Sequence, residues 1–110
     1  MWNRPTPQQL ATIPTLYATE NVAIEDKIIH MHFFIGGSDW YAVEYSPEEE
    51  RFFGFVILND DLQNAEWGYF DFLELCEASA GRIEVDHDLH WMPRRAGDVA
   101  NIRKAQGVNK

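Results

Sequence analysis

At 110 residues the chain is about one domain long, enough for one modest core. A hydrophobic share of 45% with 14% aromatics excludes a disordered tail, and a lone cysteine, Cys76, excludes an internal disulfide or a zinc site of several thiolates. The formal charge of −9 repels phosphates, so the acidic surface itself is not expected to read DNA or RNA.

Thr6-Pro7-Gln8-Gln9 predicts a short opening helix: Thr6 caps, Pro7 suits the first helical position, and Gln9 completes a capping box. Leu10 and Ile13 are its apolar contacts and Pro14 ends it. Leu16 to Glu20 is expected to be extended, followed by a polar loop through Asp26. Lys27 to Ile35 predicts a strand with Ile29, Met31, Phe33 and Ile35 on one face and Ile28, His30, His32 and Phe34 on the other. Gly36 to Asp39 reads as a turn and Trp40 to Tyr45 as the returning strand. Whether Glu44 shares the histidine face depends on register, since a slip of one residue reverses it. After the acidic turn Ser46 to Glu50, Phe52 to Leu58 is apolar on both faces, as a central strand beneath a helix would be.

A polar loop, Asn59 to Ala65, leads to the stretch expected to set the architecture. Glu66 to Phe70 suits a short strand, and Asp71 with Glu74 forms a capping box for a helix running from Phe72 to about Ala80, where Gly81 stops it. Phe72, Leu75, Cys76 and Ser79 make its inward stripe. Ile83 to Trp91 begins like a strand, Met92-Pro93 breaks it, and a weak helix follows from about Ala96 to Gln106. The charge is unevenly spread. From Asp39 to Asp88 there are 14 acidic residues against Arg51 and Arg82, a balance of −12, whereas Arg94 to Lys110 carries +4. No basic start precedes an early apolar run, and no apolar stretch approaches membrane-spanning length, so a soluble cytoplasmic protein is expected.

Five blocks occur in a suggestive order: Leu16-Tyr17-Ala18-Thr19-Glu20; Trp40-Tyr41-Ala42-Val43-Glu44-Tyr45; Phe52-Phe53-Gly54-Phe55-Val56; Glu66-Trp67-Gly68-Tyr69-Phe70 with Phe72-Leu73-Glu74-Leu75; and Asp88-Leu89-His90-Trp91. Together they resemble a bacterial family known only as domain of unknown function 2958, over about residues 8 to 93. Trp67 and the basic tail beyond Pro93 depart from its pattern. The resemblance implies a small α+β domain carried on plasmids, phages and integrative elements, often near genes for DNA processing or anti-restriction. It supplies no catalytic residue.

Two constellations carry the candidate chemistry. His30-x-His32 and Asp86-His87-Asp88-x-His90 could offer the three or four ligands a transition metal needs, if the 83–91 segment lies beside the first strand. Two-residue histidine spacing is equally ordinary on a half-exposed strand. The carboxylates Glu48, Glu49, Glu50, Asp60 and Asp61 sit at loop tips, poor places for acid–base work. Glu84, Asp86 and Asp88 alternate and would share one strand face, imitating a line of phosphates. No nucleophile elbow or phosphate-cradling glycine loop is present, and Cys76 falls on the expected inward stripe. Trp40, Trp67, Tyr69 and Trp91 exceed what one small core easily hides, so Trp40 or Trp91 is expected to anchor a contact.

The sequence therefore predicts a single α+β domain over residues 1–93 with a basic helix or tail over 94–110. Its sheet has four or five mainly antiparallel strands, with a helix packed on one face and short terminal helices. The expected function is that of a non-enzymatic, acidic, protein-binding module of mobile-element origin, with no catalytic residue and no cofactor. It would cover a basic nucleic-acid-binding surface of a host nuclease or CRISPR subunit, as an anti-restriction or anti-CRISPR DNA mimic does. Its contacts would be Glu48, Glu49, Glu50, Asp60, Asp61, Glu84, Asp86, Asp88, Trp40 and Trp91. The alternatives are a metal-binding protein or metal-dependent enzyme using His30, His32, His87 and His90, and an accessory domain of a DNA-processing assembly working through its basic end.

Overall fold

The computed structural model describes residues 4–78 and 84–108. Thr6 opens α1 (Pro7–Leu10) through the expected capping box, its hydroxyl accepting the Gln9 N–H at 3.2 Å while the Gln9 side chain accepts the Thr6 N–H at 2.8 Å. The segment 16–20, expected to be extended, is instead a run of turns in which Tyr17 has φ of 72°. Its Tyr17 and Thr19 amides bond to a distant side chain, Glu44, and its Ala18 and Glu20 amides to carbonyls within the turns. A 3-10 turn, Ile24–Asp26, follows.

The apolar run at 27–35 divides at His30 into β1 (Ile28–Ile29) and β2 (Met31–Ile35). Beyond it come β3 (Ser38–Ser46), β4 (Arg51–Ile57), the 3-10 turn Leu62–Asn64 and β5 (Glu66–Asp71). β5 runs directly into α2 (Phe72–Ala78), and the Glu74 N–H donates to Asp71 at 2.8 Å, one half of the expected capping box, while the Glu74 carboxylate accepts from Trp40 Nε1. The Gly81 stop and Ser79 lie outside the described residues. Of the expected 83–91 strand, β6 (Asp86–His87) forms; β7 (Arg94–Arg95), a 3-10 turn Ala96–Asp98 and α3 (Ala100–Val108) complete the chain.

Among the described residues the strands make an antiparallel five-stranded sheet in the order β5-β4-β3-β2-β6, with β1 and β7 paired beside it. The fold is α+β, as expected. On its first face Met31, Phe33, Trp40, Ala42, Tyr45, Phe52 and Phe70 pack with Phe72 and Leu75 of α2. On its second face Tyr41, Val43, Phe55 and Ile57 pack with Val99, Ile102 and Ala105 from the C-terminal segment. Full burial of a side chain such as Leu75 or Ile102 contributes about 1.5–3 kcal/mol. Helices thus cover both faces, and the basic segment 94–108 is part of the core rather than an appendage.

Two local devices shape the sheet. The β3–β4 register shifts between Ala42 and Glu44, a bulge that pairs Glu44 with Phe53 and turns it to the second face. Gly54 lies so close to β3 that an added Cβ would stand 1.9 Å from the Tyr41 carbonyl oxygen, so this position accepts only glycine. Cys76 differs from expectation: it is exposed, because the short helix presents only Phe72 and Leu75 to the sheet as buried residues.

Candidate functional site

The candidate acidic residues separate to the two ends of the sheet. Glu48, Glu49 and Glu50 lie at the β3–β4 turn, where Arg51 pairs with Glu49 at 3.3 Å and Arg4 with Glu50 at 3.0 Å. Glu48 meets the Ser46 hydroxyl at 3.3 Å. Two of the three charges are therefore met by the protein's own arginines. At the opposite end, the β2–β3 turn, the loop after β4 and the start of β5 converge with β6. The Asp60 N–H donates to the Gly37 carbonyl at 2.8 Å, the Asn59 N–H donates to Ser38 at 3.0 Å, and Asp86 is paired in register with Phe34. Asp60, Asp61, Glu66 and Asp86 are all exposed there, and among the described residues no arginine or lysine pairs with any of them.

The alternating row Glu84, Asp86 and Asp88 does not form a single acidic face. Asp86 is exposed, Glu84 is half-buried, and Asp88 turns inward to His32. The His32 ring lies between two carboxylates, with Nδ1 3.0 Å from Asp88 and Nε2 2.8 Å from Asp39. The ring is also stacked on Tyr41 at 4.6 Å and tilted against Trp91 at 5.2 Å. Partial burial works against the Asp88 charge, but the bonds from His32 and the His90 amide and the nearby imidazoles outweigh it, so its carboxyl titrates below the ordinary range. Burial pushes the Tyr41 hydroxyl up to about 12, Asn101 opposing and the charges of Asp39 and Asp88 reinforcing the shift.

β6 does lie beside β2, the neighbourhood the metal reading required. The four histidines nevertheless diverge. His32 faces the second side of the sheet, His87 packs on Phe33 of the first, and His90 is exposed. His30, whose pKa burial lowers, borders a cleft of about 220 Å³ with His87, Asp88 and Trp91. Among the described residues no three His, Cys, Asp or Glu side chains form a group able to hold a metal. The tryptophans also part company. Trp40 is fully buried, its Nε1 donating to Glu74 at 3.0 Å, which removes it from any contact surface. Trp91 is half-buried, its Nε1 donating to the Ile29 carbonyl at 2.8 Å and Arg94 lying 4.2 Å above its ring.

No protein-family model, curated protein or solved structure matches the chain. Its function therefore rests on its own chemistry. No described helix is long and apolar enough to cross a membrane.

Sequence reasoning missed a second group, built on Glu44. This carboxylate is 3% exposed and accepts the Tyr17 N–H at 2.8 Å, the Thr19 N–H at 3.0 Å and the Thr19 hydroxyl. Lys27, 7% exposed, donates to the Thr19 carbonyl and to its hydroxyl, the latter at 3.0 Å. Nothing in the local pattern marks these residues. The bulge that turns Glu44 and the loop that meets it are products of long-range packing.

Proposed function

We propose that this chain is a non-enzymatic, acidic, protein-binding module acting in the cytoplasm. It presents the Asp60, Asp61, Glu66 and Asp86 end of its sheet to a basic surface on a nucleic-acid-binding protein. The carrying observation is the contrast between the two sheet ends: arginines meet Glu49 and Glu50, whereas among the described residues no cation pairs with the four exposed carboxylates opposite. Exposed charges left to solvent steer association with an oppositely charged partner and weaken as salt rises. Asp60, Asp61 and Asp86 remain at the centre of this reading and Glu66 joins them. Glu49 and Glu50 become secondary because their arginine partners must first be released.

The resemblance to domain of unknown function 2958 adds a mobile-element setting, in which the partner is a host nuclease or CRISPR subunit and the effect is inhibition. The test is a pull-down at low and high salt with the wild type and with D60N/D61N/E66Q/D86N. The reading expects a basic nucleic-acid-binding protein that salt elutes and the variant fails to retain. Equal retention by the variant, or binding indifferent to salt, would overturn it.

A further inference from the structure

The Glu44–Thr19–Lys27 group borders a cavity of about 390 Å³ between the 16–26 loop and the second face of the sheet. That volume falls in the range of about 300–1,000 Å³ common to small-molecule sites. Phe53 contributes to its wall beside Glu44, and Tyr69 is paired with Phe53 in register. Tyr17 and Ile24 line it from the loop, and both tyrosines are largely exposed. The result is an aromatic wall with a buried carboxylate and a buried ammonium beside it, and the exposed carboxylate of Glu20 also lining the cavity.

Burying opposite charges is a weak route to stability, since apolar replacements of similar volume often do as well. Here the hydrogen-bonding capacity of the pair is also incomplete. Glu44 Oε1 accepts one bond, from the Tyr17 N–H, and keeps a lone pair; Lys27 Nζ donates two of its three N–H groups, both to Thr19. Thr19 holds the two charges in place by accepting from Lys27 and donating to Glu44. The left-handed φ of 72° at Tyr17, costly for a bulky residue, is what brings its amide to Glu44.

We propose that this cavity binds a small apolar zwitterion of the α-amino-acid type. The ligand carboxylate accepts the remaining Lys27 N–H, its ammonium donates to Glu44 Oε1, and its side chain lies on Phe53 beneath the Tyr17 and Tyr69 side chains, which meet each other. This site is separate from the acidic sheet end and stands or falls without it.

The experiment is an amide NMR titration of the full chain with L-phenylalanine, 2-phenylethylamine and 3-phenylpropionate in parallel. L-phenylalanine is expected to give saturable shifts confined to residues 16–27, Glu44, Phe53 and Tyr69. Each analogue, lacking one charge-assisted hydrogen bond, binds roughly tenfold more weakly or worse. Tyr69→Ala, at an exposed wall position, weakens binding of L-phenylalanine roughly fivefold with the rest of the spectrum unchanged. Lys27→Met abolishes the preference over 2-phenylethylamine; should that variant not fold, the analogue series and Tyr69→Ala decide alone. Absence of shifts up to about 10 mM, shifts elsewhere on the molecule, or an analogue binding as tightly as the amino acid overturns the proposal.

Discussion

On the sheet face beneath α2, Phe52 lies parallel to Phe70 at 5.0 Å, and Phe33 and Phe72 meet Phe52 edge-on at 5.5 and 5.3 Å. On the face beneath α3 the strands place His32, Tyr41 and Glu44 among Val43, Phe55 and Ile57. The first face is close-packed aromatic surface whose energetics are burial and ring geometry. The second mixes burial with polar groups, each bonded by a segment far away in the chain: Glu44 by the 16–20 loop, His32 by Asp88, Tyr41 by Asn101. One face holds the fold, and the other holds both the fold and its unusual chemistry.

The most severe way to break this comparison is to end the chain after Pro93. Residues Ala96, Val99, Ile102 and Ala105 are all buried on the second face, so their removal uncovers one side of the sheet. The loss is expected to rival the whole stability of a domain this size, about 5–15 kcal/mol, and circular dichroism should show an unfolded or molten chain. A cooperative unfolding transition like that of the full protein would show that the first face suffices. Next, Phe52→Ala removes the ring at the centre of the aromatic face and should cost about 3–5 kcal/mol in denaturant unfolding.

Glu44→Gln sharpens the contrast, because it leaves shape intact but sets an amide among donors and deprives buried Lys27 of a nearby opposite charge. A loss of about 1–3 kcal/mol is expected in the same assay, with increased amide exchange at Tyr17 and Thr19. The Asp88–His32 contact predicts a pH effect of definite sign. The folded-state pKa of Asp88 is lowered, so its contribution is present above its unfolded pKa and fades as pH falls through the lowered value. Thermal midpoints measured from neutral pH downward should decline through the acidic carboxylate range, and Asp88→Asn should flatten part of that limb. The smallest expected effect on stability belongs to D60N/D61N/E66Q/D86N, within about 0.5 kcal/mol because all four groups are exposed. If that variant instead gains more than this, mutual repulsion at the sheet end costs more than surface charges ordinarily do.

The elements were legible where their signals are short-range. The capping box at Thr6, the Asp71 cap on the Glu74 amide and the apolar strands around 31–35, 40–45 and 52–57 stand where the residues point. The histidine cluster was only partly legible. Its strand neighbourhood is real and His30 and His87 border one cleft, but His32 faces the other side of the sheet, and among the described residues no metal-holding group forms. Trp40 was misjudged as a surface anchor because tryptophan content alone says nothing of which pleat faces α2. Tyr17 and Glu44 were not found as a site at all.

Composition, capping chemistry and the two-residue alternation of apolar side chains determined that this protein is an acidic α+β domain with a central apolar strand and a strand running straight into a helix. These depend on groups within a few residues of one another, which the order of amino acids specifies directly. Tertiary structure decided which charges are met and which stand open, which tryptophan is buried, and which side of the sheet Glu44 occupies. A one-residue bulge reverses a facing, and contacts spanning 27 residues from Tyr17 to Glu44, or 56 from His32 to Asp88, exist only once the sheet has closed.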